Sequence, residues 1–527
     1  MGLLGFAVSP AFAAVAVISF VVYKLAKARI TVQPAPLTPV VPAMRSKWAA
    51  KHVPIAANST PDAIPASDAT VADVIIVGAG ILGCAMAATL AKDGRKVTLI
   101  ERDLSEPDRI VGELLQPGGV AALRQLGLEN CLEGIDSVVE NGYFVHYHGQ
   151  AVQLTYPLDE SGKTRAGRSF HHGRFIMKLR EAARRESNVT IIEGTVGTLL
   201  RAQDADSTVI GVEYQSKKTS ETLTVRAPLT IVADGCFSKF RKDLVANEVE
   251  VRSHFVGLVL KNCPMLQYNF AEVVLARPSP ILFYQIGSNE TRVLVDVRPP
   301  VPSNGNGDLK NHLINHVAPQ LPTHFRAAFL EACEKDRIRT MPNSYLPAAP
   351  LKRKGVLLLG DALNMRHPLT GGGMTVAFSD VCLWRELLRA VPDLGDHSTV
   401  LKQLTRFHWH RKQSHSFVVN VLAQALYALF SAADEHLESL REACFQYFML
   451  GGECAAGPVS LLSVTNPRPT LLVYHFFAVA VYAMYNIGRT TPIYKPYQGM
   501  YRSMMALRAA CHVIGPLILN ELRALSR

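Results

Sequence analysis

The chain has 527 residues, 48% hydrophobic and 19% charged, with nine cysteines and a formal net charge of +11. That length and apolar content exclude a disordered chain, a collagen-like repeat and a disulfide-stapled miniprotein. Residues 1–61 and 468–527 each carry a net +6, which leaves −1 for residues 62–467. A nucleic-acid-binding protein spreads a basic face over its folded body, whereas Lys and Arg beside apolar segments meet anionic head groups; the pattern points to membrane lipid and away from nucleic acid. The cysteines form no CxxC pair, so they offer no zinc site and suggest reduced thiols in a protein facing the cytosol.

Residues 2–23 contain no charged side chain, a length sufficient to cross a hydrocarbon core. The basic residues follow this run instead of preceding it, which argues for an uncleaved anchor with the chain from Lys24 onward in the cytosol. Pro10 interrupts the run, which leaves a buried or interfacial hairpin as the alternative. Residues 24–70 read as a linker. Next come an apolar strand (73–77), the glycines Gly78, Gly80 and Gly83 opening a helix, and a second strand (97–100) ending at Glu101. In this pattern Gly78 permits the tight turn, Gly80 admits a pyrophosphate to the backbone, and Gly83 packs helix on strand. The helix N-terminus favours phosphate, and Glu101 can accept from a ribose hydroxyl. The context of strand, helix, strand and acid predicts a dinucleotide site.

Two later segments specify which dinucleotide. LTIVADG (229–235) is a strand ending in Asp234 and Gly235, and GVLLLGDALNMRHPLTGGGM (355–374) is a strand ending at Asp361, then Gly371, Gly372, Gly373 and Met374. Asp361 can hold a ribityl hydroxyl, and the amides beyond the triple glycine can stabilise negative charge on a flavin ring. Between them, FVGLVL, AEVVLA, ILFYQI and RVLVDV (255–297) read as strands of a separate sheet. From about residue 376 the chain is helical and apolar. The stretches 471–487 and 504–520 are slightly short for crossings, so a pair of helices lying in one leaflet or a pair buried in the body is expected. Residues 146–166 are expected at the surface. No His, Cys or carboxylate spacing completes a metal site; His171, His172, His408, His410 and His415 read as structural or surface residues, and His367 as a loop-fixing one. Asn58, Asn188 and Asn289 begin N-glycosylation sequons, which should stay unmodified in a cytosolic body.

The three glycine and acid motifs are similar to those of the FAD-binding flavoprotein monooxygenases. DRIVGELLQPGGVAALRQLGL (108–128), GRSFHHGRFIMKLR (167–180), GDALNMRHPLTGGGMTVAFSD (360–380), SHSFVVNVLAQALYALFSA (414–432) and GGECAAGPVSLLS (451–463) narrow the resemblance to the squalene epoxidase family, from about residue 72 onward. The resemblance implies an α/β fold: a Rossmann-like FAD-binding domain (71–101, 178–235 and 327–375), an interleaved β-sheet substrate domain (102–177 and 236–326), and a C-terminal membrane-associated helical region (376–527), after an anchor at 1–23. It implies FAD contacts at Ile81, Leu82, Glu101, Arg102, Arg109, Arg180, Val196, Asp361 and Met374. It assigns Tyr143 to catalysis, with Gln116 a plausible hydrogen-bond partner.

The implied activity is epoxidation of squalene to (S)-2,3-oxidosqualene with O2, through a flavin hydroperoxide, since no side chain supplies an electrophilic oxygen. The electrons would come from NADPH through the microsomal NADPH–cytochrome reductase, to which the basic linker, including Lys47 and Lys51, could offer a surface. The location implied is the endoplasmic reticulum membrane. A related flavoprotein acting on another isoprenoid or quinone lipid, or a non-catalytic membrane-anchored flavoprotein, stays open.

Overall fold

The computed structural model describes residues 72–523 except 350, 352 and 433. The expected anchor and linker, with Lys47, Lys51 and Asn58, lie outside the described residues.

Two seven-stranded sheets organise the chain. The first runs, in spatial order, Thr222–Arg226, Val209–Ser216, Val189–Arg201, Val97–Glu101, Val74–Val77, Leu229–Val232 and Val356–Leu358. Its last five strands pair in parallel and the first two antiparallel. The parallel strands Val74–Val77, Leu229–Val232 and Val356–Leu358 are buried throughout, which is why they read as apolar runs interrupted only by Thr230. Helices Ile81–Lys92, His172–Arg184 and Gly373–Arg389 share one core with them.

The second sheet runs Arg339–Tyr345, Glu250–Lys261, Glu290–Val297, Ile281–Gly287, Ala271–Val274, Gly142–Tyr147 and Gln150–Thr155. All its pairs are antiparallel except Ala271–Val274 with Gly142–Tyr147. Arg339–Tyr345, inside the 327–375 stretch expected to belong with the first sheet, instead forms an edge of the second. Helix Thr323–Lys335 goes with it, packing Phe325 and Phe329 against Val256, Phe283 and Val293. A three-stranded sheet of Leu114–Leu115, Gly167–Ser169 and Val138–Glu140 lies between the two larger ones in the chain's path.

The C-terminal region is helical, as expected. Its last two helices, Pro469–Thr490 and Pro496–Arg523, exceed the apolar stretches that announced them and are long and apolar enough to cross a membrane. Residues 146–166 are not uniformly at the surface. Tyr147, Leu154 and Tyr156 are buried because the strand Gln150–Thr155 turns one face toward the helices Glu435–Met449 and Glu453–Leu462.

Candidate active site

The first glycine turn is shaped by sterics that only glycine meets. Gly78 has φ +103°, and a Cβ there would lie 2.5 Å from the Ala233 carbonyl oxygen. A Cβ on Gly83 would lie 1.9 Å from the Gly78 carbonyl oxygen. Around Gly80 nothing stands within 4 Å of that position, so its main chain is bare toward the cleft. Helix Ile81–Lys92 starts there without a side-chain cap, leaving its first N–H groups for an anion. The Glu101 carboxylate accepts the Ala79 N–H at 2.7 Å, which fixes the turn against the strand end.

Arg180, expected beside a pyrophosphate, is 3% exposed and gives three donors to carbonyls, Ala79 at 3.0 Å, Ser105 at 2.9 Å and Asp103 at 3.1 Å. It therefore holds the glycine turn to the loop after Glu101. Arg102 is exposed, and Arg109 is half-buried. Asp234 accepts the Lys239 N–H at 3.0 Å through one oxygen, while its other oxygen is buried without a partner. Sequence reasoning missed Arg241. This buried guanidinium donates to the carbonyls of Gly235 (3.2 Å), Cys236 (2.9 Å), Asp361 (3.0 Å) and Ala362 (2.8 Å), joining the two later motif turns. The signal was its place in the basic turn after Asp234 and Gly235, but two of its four carbonyl partners, Asp361 and Ala362, are 120 and 121 residues away in the chain.

Two cavities meet at these turns. A cleft of about 1280 Å³ is lined by Gly78, Gly80, Glu101, Arg102, Arg109, Arg180, Val196, Asp234 and Gly235. A second cavity, of about 270 Å³, is walled by Val111, Leu114, Val273, Leu282 and Leu294, and includes Ile81, Leu82, Gln116, Tyr143, Asp361, Gly373 and Met374. Gly80, Arg109 and Gly235 line both, so the polar cleft opens into the apolar cavity. Gly83 and Gly372 line neither; Gly372 packs instead, a Cβ there meeting Val419 Cγ1 at 2.5 Å. Bare main chain, an uncapped helix start, a strand-end carboxylate and an orphaned Asp234 oxygen fit a dinucleotide carrying phosphates and hydroxyls.

Gln116 and Tyr143 come together. Gln116 Nε2 donates to Tyr143 Oη at 2.5 Å and to the Thr370 carbonyl at 2.7 Å. Tyr156 supplies the rest of this network, its hydroxyl 2.7 Å from both Gln116 Oε1 and Tyr143 Oη. Burial pushes the Tyr143 hydroxyl up to about 12 against the pull of these hydrogen bonds, so it stays protonated. Thr370 precedes Gly371 (φ +61°), and the network thus connects the cavity wall to the triple-glycine turn.

In the same wall the Glu113 carboxylate takes two hydrogen bonds from buried Arg292, at 2.9 and 2.8 Å, and one from Tyr284 at 3.0 Å. His172, neutral because burial pulls it down to about 4, bonds the Gly112 carbonyl at 2.8 Å. His367 accepts the Leu369 N–H at 3.2 Å and stacks on Tyr427 at 3.8 Å, which fixes its loop.

Comparison with known proteins adds the family. A sequence profile described as Squalene epoxidase matches residues 226–501, and one described as FAD dependent oxidoreductase matches residues 73–108. The chain is 54% identical to squalene monooxygenase of Mus musculus, over 86% of this chain and 78% of that one. It is 50% identical to squalene epoxidase 1 of Arabidopsis thaliana, over 86% and 84%. The crystal structure of p-nitrophenol 4-monooxygenase PnpA from Pseudomonas putida superposes with a TM-score of 0.63, covering 76% of this chain and 99% of that one at 19% identity, a likeness of fold.

Proposed function

The chain belongs to the squalene epoxidase family, and from that premise we propose how its two cavities divide the work of an FAD-dependent monooxygenase acting on squalene. The observation that carries the reading is the junction at Gly80, Arg109 and Gly235, where a cleft shaped for a dinucleotide opens into an apolar cavity. FAD, when bound and reduced, activates O2 for transfer of one oxygen atom to an alkene, a chemistry no side chain provides.

The residues bind, orient and exclude water. Gly78, Gly80 and Val196 line the dinucleotide cleft, with Gly83 packing its helix on the turn and Ile81 and Leu82 at the adjoining cavity; Glu101 stands at the ribose end, and Arg102 and Arg109 supply positive charge for the pyrophosphate. Asp234, Gly235, Asp361, Gly373 and Met374 form the turns at the other end of the cofactor, where Gly372 packs against Val419. Val111, Leu114, Val273, Leu282 and Leu294 accept the hydrocarbon and keep water from the reacting centre. Tyr143, held by Gln116 and Tyr156, fixes the wall where the alkene lies. Apolar burial selects a hydrocarbon chain, and a terminal double bond reaching the junction gives 2,3-oxidosqualene.

Electrons originate in NADPH and arrive from the NADPH–cytochrome reductase, a partner that the single dinucleotide motif calls for. The two long C-terminal helices associate with the endoplasmic reticulum membrane from its cytosolic side, supported by the basic residues around them. Purified protein should contain FAD, and squalene should accelerate NADPH consumption in the presence of the reductase with stoichiometric product. Squalene-independent consumption alone would move the substrate to another lipid. Asn188 and Asn289, both exposed, test orientation: glycan on either in microsomes would reverse it.

A further inference from the structure

Behind the triple-glycine turn lies a buried cluster of charge that the reading above does not use. Arg366 is 8% exposed and lines the apolar cavity together with Asp361, Gly371, Gly373 and Met374. One of its nitrogens, Nη2, donates to the main-chain and side-chain oxygens of Asn364, both at 2.9 Å. Its other two, Nε and Nη1, are buried with no partner.

The neighbouring charges are matched elsewhere. Arg411 is spent on Asp380, at 2.7 and 2.9 Å, and on Asn364 Oδ1 at 3.0 Å. His415 adds a third bond to Asp380 at 2.9 Å, and Lys412 pairs with Glu521 at 3.3 Å. Asp361 lines the same cavity, yet among the described residues no carboxylate stands within 4.0 Å of Arg366. The Thr370 hydroxyl, also in this wall, is buried without a partner too.

An unpaired guanidinium held out of water is costly unless a negative group joins it during the working cycle. Burial and the nearby Arg411 pull Arg366 down to about 10, which still leaves it charged at neutral pH. The flavin ring becomes more negative on reduction, and Arg366 lines the same cavity as the turn expected to hold that ring.

We propose that Arg366, held by Asn364, which Arg411 in turn fixes, is a cationic subsite for the negative charge that the flavin ring acquires on reduction, raising the cofactor's reduction potential. The inference rests on FAD occupying the cleft. A preparation without flavin fails that assignment first, whereas flavin-loaded protein with an unaltered potential fails this inference alone.

The test is the two-electron midpoint potential of FAD in the purified holoprotein, for the natural chain, Arg366→Gln and Arg366→Lys, in chloride-free buffer and with added sodium chloride. Arg366→Gln should weaken binding of reduced relative to oxidised FAD at least tenfold, a fall of about 30 mV for a two-electron couple. Arg366→Lys, which keeps the charge, should recover most of it, and a purely structural role would not show this rescue. Chloride should leave the natural chain's potential unchanged. An unaltered potential in Arg366→Gln overturns the proposal. So does a potential that falls with chloride in the natural chain and not in Arg366→Gln, since the subsite would then serve a free halide.

Discussion

Removing the hydroxyl of Tyr143 or Tyr156 separates positioning from folding. Tyr143→Phe deletes one acceptor from Gln116 Nε2, which keeps the Thr370 carbonyl at 2.7 Å. The net loss is about 1 kcal/mol of ordering in the wall, and a similar loss of transition-state positioning lowers turnover roughly fivefold. Tyr156→Phe is worse placed. It strands Gln116 Oε1, in a side chain with no exposed surface, and an unpaired buried acceptor costs about 1–3 kcal/mol. The two changes act on one network, so the double variant should lose less than the product of the single losses, by a coupling of at least about 0.5 kcal/mol. The assay is epoxide formed per bound FAD with the reductase in excess, alongside FAD content and the urea midpoint of the flavin signal. FAD content should stay near that of the natural chain, and only Tyr156→Phe should lower the midpoint clearly. Unchanged turnover in both single variants, or losses that multiply without coupling, would refute the network.

Further expectations concern the cleft and the buried acids. Gly83→Ala should abolish retained FAD, read as lost 450 nm absorbance, because its Cβ would stand 1.9 Å from the Gly78 carbonyl oxygen. Arg180→Met should lower the stability of the flavin-free protein as well as FAD affinity, since three carbonyls lose a donor; an effect on affinity alone would place Arg180 on the cofactor. Glu140 is fully buried with one oxygen unpartnered, and burial raises its carboxyl from 4.5 to about 8. The folded state therefore holds a proton that the unfolded state releases, so this group's contribution to stability falls as pH rises from about 4.5 to about 8. Glu140→Gln should remove that fall, seen as a smaller loss of urea midpoint than the natural chain shows between pH 6 and 8.

How far the residues announced this structure depends on how local each requirement is. The glycine turn was legible because its demands are short-range: the φ of Gly78 and the contact of Gly83 with Gly78 are fixed within six residues. The buried parallel strands were legible because both faces are covered and their positions are almost all apolar, Thr98 and Thr230 excepted. The strands between Phe255 and Val297 were legible as apolar runs, but the parallel pairing of Ala271–Val274 with Gly142–Tyr147 was not, since register depends on partners more than 100 residues away. Tyr156 looked like a surface residue because its stretch is mostly polar; its partners are 13 and 40 residues distant. Arg180 and Arg241 invite a ligand reading from charge alone, and only their carbonyl partners show them tying main-chain turns together. The last two helices run past their apolar cores because residues such as Arg489, Gln498, Tyr501 and Arg502 are helix-compatible without being apolar.

The most direct measurement incubates detergent-solubilised protein with squalene, FAD, NADPH, the reductase and isotopically labelled O2, and follows the lipids by mass spectrometry. The account predicts 2,3-oxidosqualene carrying one labelled oxygen atom. Flavin-loaded protein that consumes NADPH and yields no labelled epoxide would contradict it.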